Sequence, residues 1–175
     1  MNYEENKEFL VKRIVREGHS IGIHGYSHKY SEIYQSIDTY MENITKLENK
    51  IEKSTGVNTK ITRFPGGSSN TVSRYYHVGI MSQLTKKLLN DGYRYYDWNI
   101  TSGDAGDVKT KEEVYQNVIN GLSKKKANMV LMHDFSNNAK TVDALKDIIR
   151  YGKQNGYVFE AITEDTPMIT HHISN

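Results

Sequence analysis

Apolar positions along the chain recur mostly at intervals of three and four. Across residues 5–17, Phe9, Leu10, Ile14 and Val15 form one helical stripe, and Gly18 is placed to end it. Residues 31–53 carry Ile33, Ile37, Met41, Ile44, Leu47 and Ile51 at the same spacings, with Gly56 beyond, and predict the longest helix. A third helix is expected within residues 70–90 around Met81, Leu84, Leu88 and Leu89, with Gly79 as a point of interruption. Two more follow over residues 111–122, through Val114, Val118 and Leu122, and over residues 141–154, with Val142, Leu145, Ile148 and Ile149 facing inward.

Between these stripes lie short segments that read as strands, at residues 20–24, 60–63, 93–98, 128–133 and 157–162. The unbroken apolar run from Met129 to Met132 predicts burial on both faces. Residues 164–175 show no period and read as a tail. Alternation of helix and strand predicts an α/β fold with a parallel sheet, open or closed into a barrel. The 175 residues are expected to form a single domain, with its core over about residues 5–163. Because the chain opens on a helix, the first strand is expected to be missing.

Charge narrows the partners. Lys and Arg number 23 against 21 Asp and Glu, a formal +2, which gives no electrostatic case for a nucleic-acid or anionic-membrane partner. No apolar run is long enough for a membrane span, and the acidic start lacks the pattern of an export signal, so the chain as written is expected in the cytoplasm. Without cysteine, any metal must be held by His, Asp or Glu.

In parallel α/β folds, functional groups gather where the strands end at their carboxyl termini. That rule selects His24, Arg63, Asp97 and His133, which are expected to converge. His24 and His28, four residues apart in HGYSH, can chelate a divalent ion or can serve as capping or core histidines. Arg63-Phe64-Pro65-Gly66-Gly67 supplies a permanent charge and a backbone amide at Gly66 able to approach an oxyanion, or else a plain Pro-Gly turn. Asp97 and Trp98 offer a carboxylate and an indole wall, or else a core aromatic beside a solvated loop. His133, at the end of a buried strand, suits general acid or base work, or else is a satisfied core histidine. Asp104 and Asp107 either approach the site or belong to the loop alone, with the loop reading preferred, and His171 and His172 have no ligand partners at useful spacing.

Taken in order, HGYSH, RFPGG, DWN and LMHD resemble motifs two to five of the polysaccharide deacetylases, also called the NodB-homology domain or carbohydrate esterase family four. The resemblance covers about residues 5–163. It implies a distorted (β/α) barrel and a hydrolase that removes acetyl groups from N-acetylated glycans such as peptidoglycan or chitin, or from xylan. It also implies a divalent metal, zinc or cobalt, held by His24 and His28. By the same resemblance Gly66 corresponds to the oxyanion donor and Arg63 to the arginine that orients the base. Asp97 corresponds to the carboxylate that tunes the catalytic His133, and Trp98 with Leu131 to the acetyl-methyl pocket.

One departure changes these expectations. The family's first motif, Thr-Phe-Asp-Asp, supplies the general base and third metal ligand, and no such segment lies upstream of His24 in this sequence. The expected fold is therefore an incomplete barrel missing its first strands, with weakly bound metal and weak or absent turnover. Homo-oligomerisation or strand exchange is expected to cover the open edge. An active protein would then need an upstream segment, with action at the cell envelope or outside the cell. The alternative is a non-catalytic remnant that binds glycan or protein.

Overall fold

The computed structural model describes residues 7–135 and 137–175, so the first two positions of the helix expected over residues 5–17 lie outside the described residues. Its contacts divide the chain into two compact units, one of residues 7–97 with Ala161–Asn175 and one of Trp98–Glu160. Among the described residues, no helix is long and apolar enough to cross a membrane.

In the first unit, α1 (Glu8–Arg16) precedes a short α2 (Tyr30–Ile33) and the long α3 (Ile37–Thr55). The helix expected over residues 31–53 is thus two helices, because Ser36 starts α3 with a reciprocal cap. Its hydroxyl accepts the Thr39 N–H at 3.1 Å, and the Thr39 hydroxyl accepts the Ser36 N–H at 3.1 Å. Gly56, at φ 74°, closes α3 as expected. The helix expected within residues 70–90 begins only at α4 (Ile80–Asn90), preceded by a 3-10 turn over Val72–Tyr75, and Gly79 at φ 80° separates them.

Strands β1 (Ile61–Thr62) and β2 (Arg94–Tyr95) pair in parallel, with Ile61 opposite Arg94 and Thr62 opposite Tyr95. The strand expected at residues 20–24 contracts to one parallel bridge from Ile23 to Thr62. Ile23, Ile44, Ile51, Met81, Leu84 and Leu88 fill the core of this unit, each burial contributing roughly 1.5–3 kcal/mol. Aromatic rings thread it: Tyr30, Tyr34, Tyr40, Phe64 and Tyr95 follow one another at centroid spacings of 5.4 to 5.7 Å. This chain of rings gives several of the 13 tyrosines a packing role.

The segment read as a tail is bonded into this unit. The Ile169 carbonyl accepts the Asp97 N–H at 2.7 Å, and Asn175 accepts N–H groups from Ser82 at 2.9 Å and Gly79 at 2.7 Å. Such backbone docking leaves no hydrophobic period for a sequence reading to find.

In the second unit, β3 (Ile100–Thr101) and β4 (Val130–Leu131) pair in parallel, and α5 (Lys111–Gly121) packs on α6 (Ala139–Gln154). The strand expected over residues 93–98 ends at Tyr95, and β3 lies in what reads as a loop. Val130 and Leu131 are half-buried, not enclosed on both faces. The inward face of α6 also differs: Thr141, Ala144, Ile148 and Gly152 are buried, while Val142 and Leu145 are exposed. Small residues make that face, since a Cβ at Gly152 would stand 2.6 Å from the Phe159 ring. No strand forms over residues 157–162; Tyr157 instead returns its N–H to the Gly152 carbonyl at 2.9 Å.

Candidate active site

His24 lies just past the Ile23 bridge, and the chain turns at Gly25, whose φ of 103° suits glycine. The imidazoles of His24 and His28 stand edge-on, with centroids 5.3 Å apart. His24 Nδ1 lies 2.8 Å from the Arg63 carbonyl oxygen. A carbonyl only accepts, so Nδ1 carries the proton and Nε2 keeps its lone pair. Burial, the largest cause, pushes the His24 pKa down to about 4; the Arg63 and His28 charges add to this and the carbonyl bond opposes it. The ring is therefore neutral at pH 7, the form that binds metals. Neutral imidazole nitrogens suit zinc or a similar divalent ion, so His24 and His28 fit part of a metal site. Among the described residues, no group of three or more His, Asp or Glu is placed to hold a metal ion.

The turn after β1 is fixed from several sides. The Tyr34 hydroxyl donates to the Pro65 carbonyl at 2.7 Å, and the Gly67 N–H to the Phe64 carbonyl at 2.8 Å. Gly66 has φ 81°, and a Cβ there would overlap the Tyr30 hydroxyl, so both backbone and space require glycine. Asp97, fully buried, accepts the Ser68 N–H at 2.8 Å, the Ser68 hydroxyl, and the His171 N–H at 2.8 Å. Burial lowers the Arg63 pKa, and the Asp97 charge opposes that shift.

The second unit holds the other histidine. His133 Nδ1 lies 2.8 Å from Asp104 Oδ1, and the His133 N–H donates to Asp104 Oδ2 at 2.7 Å. Asn138 and Thr141 also donate to Oδ2, at 2.8 and 2.9 Å. Burial favours the protonated acid here, but hydrogen bonds from His133, Ser102 and Asn138 outweigh it and hold the Asp104 carboxyl well below its ordinary range. Trp98 opens this unit, partly exposed, and Leu131 lies half-buried in β4 opposite Thr101.

The carboxylate that holds His133 is thus Asp104, not Asp97. The strand-end rule chose Asp97 because the third strand was expected to run to residue 98; once β3 is Ile100–Thr101, the same rule reaches Asp104. Asp97 instead fixes the Ser68 turn and the C-terminal segment. His171 joins the first cluster through its backbone and through a 3.2 Å contact of its ring with the Ser69 hydroxyl. Its sequence spacing carried no sign of this.

The structure aligns with the catalytic domain of the peptidoglycan N-acetylglucosamine deacetylase of Eubacterium rectale at a TM-score of 0.93 and 38% identity, covering 99% of this chain and 79% of that one. A family model described as polysaccharide deacetylase matches residues 2–79. The chain belongs to the polysaccharide deacetylase family.

That match contains both the HGYSH and RFPGG motifs. A second polysaccharide deacetylase, the peptidoglycan-N-acetylglucosamine deacetylase of Bacillus cereus, is 30% identical over 167 residues, covering 91% of this chain and 57% of that protein. The family 4 acetyl xylan esterase of Clostridium thermocellum, solved with a cobalt ion, aligns at a TM-score of 0.69 and 25% identity over 90% of this chain and 69% of that one. The α/β fold is therefore that of the polysaccharide deacetylases. The chain spans little more than half the length of the curated relatives it matches.

Proposed function

We propose that this chain carries out metal-dependent de-N-acetylation of N-acetylglucosamine glycans such as peptidoglycan or chitin, at a low rate, and that its place of action follows that envelope substrate. The observation that carries this reading is the preset tautomer of both imidazoles. Arg63 fixes the proton of His24 on Nδ1, and Asp104 fixes that of His133 on Nδ1. Nε2 of each ring is left for chemistry.

His24 and His28 would hold the metal, with zinc or cobalt suited to their donors. When bound, such an ion polarises the acetyl carbonyl and lowers the pKa of water. The chain's own groups account for the other steps. As water adds to the acetyl carbon, the lone pair of His133 Nε2 takes its proton, making the imidazolium, and the Gly66 N–H donates to the developing oxyanion. As the C–N bond breaks, the His133 imidazolium gives its Nε2 proton to the departing amine, and acetate is the other product. Asp104 supports the imidazolium charge throughout, Arg63 stands where the family's arginine orients the base, and Trp98 with Leu131 shapes the acetyl pocket.

A two-imidazole set binds metal more weakly than the usual three protein ligands, and loss of a general base costs about 10² to 10⁴ in rate. That only two imidazoles come together, with no group of three possible ligands among the described residues, favours a second reading, a glycan-binding module without turnover. Mass spectrometry of chito-oligosaccharide incubated with the protein and zinc separates the two: free-amine products support the hydrolase, and unchanged sugar that co-elutes with the protein supports the binder.

A further inference from the structure

The first turn of α6 is built for Asp104 rather than for the helix. Asn138 occupies the N-cap position, where an Asn side chain ordinarily accepts an N–H of the first turn; here it makes no such bond. Its amide nitrogen instead donates twice, to Asp104 Oδ2 at 2.8 Å and to the His133 carbonyl at 2.7 Å. Both neighbours are acceptors, so the orientation of the amide is settled by chemistry. Its Oδ1 is buried and meets no partner among the described residues. Forgoing the cap and stranding a buried acceptor are both destabilising. The hydrogen-bonding capacity of Asn138 is thus spent on Asp104 and the His133 backbone and not on the start of the helix.

Thr141, three residues on, adds its hydroxyl to the same Oδ2 at 2.9 Å. Asn138, Thr141 and Asp104 are all nearly inaccessible to solvent, at 2%, 6% and 2% exposure. Oδ2 thus accepts three bonds, from the His133 backbone, Asn138 and Thr141, while Oδ1 faces the ring. With Oδ2 pinned, the carboxylate cannot rotate away from Nδ1. Asp104 is the charged group bonded to the ring; Asp134, beside it in the chain, is exposed. Phe135 covers another side, its ring centroid 6.1 Å from that of His133.

We propose that Asn138 and Thr141 are positioning residues that lock the Asp104 carboxylate and thereby hold the His133 ring in its Nδ1–H tautomer. The proposal rests on the role given to His133 above, but its test does not require turnover. Nitrogen-15 spectra of the histidine rings, taken above the titration of the imidazole, report the tautomer directly. In the unaltered protein His133 is expected as a single Nδ1–H form. In Thr141→Val and in Asn138→Ser/Thr141→Val the ring should become a mixture with the Nε2–H form. Thr141→Ser, which restores the hydroxyl, should return it to the single form.

Asn138→Ser retains a capping side chain, so thermal unfolding should change less than the tautomer does. A ring that stays wholly Nδ1–H in the double variant overturns the proposal. Should the double variant not fold, Thr141→Val alone decides by the same criterion. Failure of acetate release with an intact tautomer lock would count against the deacetylase reading and leave the lock standing.

Discussion

Asp97 and Ser68, 29 positions apart in the sequence, are joined by two hydrogen bonds, the Ser68 N–H at 2.8 Å and its hydroxyl. Both residues are fully buried, and the same carboxylate takes the His171 N–H. One acid therefore ties together the Gly66–Ser68 turn and the C-terminal segment.

Asp97→Ala should strand these donors and remove the charge that offsets buried Arg63. The expected loss is on the order of 3 kcal/mol in urea unfolding, with Asp97→Asn intermediate. A change within 0.5 kcal/mol, roughly that of an ordinary surface substitution, would show that the turn does not depend on Asp97.

Gly66→Ala should cost about 1–2 kcal/mol from its left-handed backbone, and more from overlap with the Tyr30 hydroxyl. Removing that hydroxyl with Tyr30→Phe should recover part of the second contribution but none of the first. A double-mutant cycle in urea measures the coupling. Strict additivity would mean that the Tyr30 hydroxyl does not confine this turn.

The acid side of the stability profile depends on Asp104. Its carboxyl titrates well below the ordinary carboxylate range in the folded protein, so the unfolded chain takes up the proton first as pH falls. The contribution of Asp104 is complete above about pH 4, the unfolded value, and is lost as pH falls toward the folded one. Asp104→Asn should lower the melting temperature at pH 7 and flatten its fall below pH 4. An unchanged slope in that window would remove Asp104 from the account.

Zinc binding should need both imidazoles. Calorimetric titration is expected to show one weak site, lost in His24→Ala and in His28→Ala, without the nanomolar affinity of a three-ligand site. Nanomolar binding would require a third protein ligand beyond this pair.

What the sequence made legible depended on how local each feature is. The helices and the strand-end positions of His24, Arg63 and His133 are written in short windows, and the structure carries them, although Phe9 and Leu89 of the expected stripes are exposed. The break at Ser36 was less visible, since the helical spacing of Ile33 and Ile37 passes through the cap. Val142 and Leu145 misled because the inward face of α6 is made by Ala144 and Gly152, small residues that an apolar count passes over. Asp104 was hidden by a strand boundary misplaced by a few residues. Residues 164–175 were hidden because they dock through backbone groups and Asn175, which leave no periodic trace. The resemblance of HGYSH, RFPGG, DWN and LMHD gave the family, yet at DWN it directed attention to Asp97 when the partner of His133 lies seven residues on.

Acetate release from N-acetylated chito-oligosaccharide, with added zinc or cobalt, tests the central claim most directly when His24→Ala and His133→Ala are run beside the unaltered protein. The account predicts slow, metal-stimulated release that falls to background in both variants. Release that survives both substitutions, or none above background from folded protein supplied with metal, would contradict it.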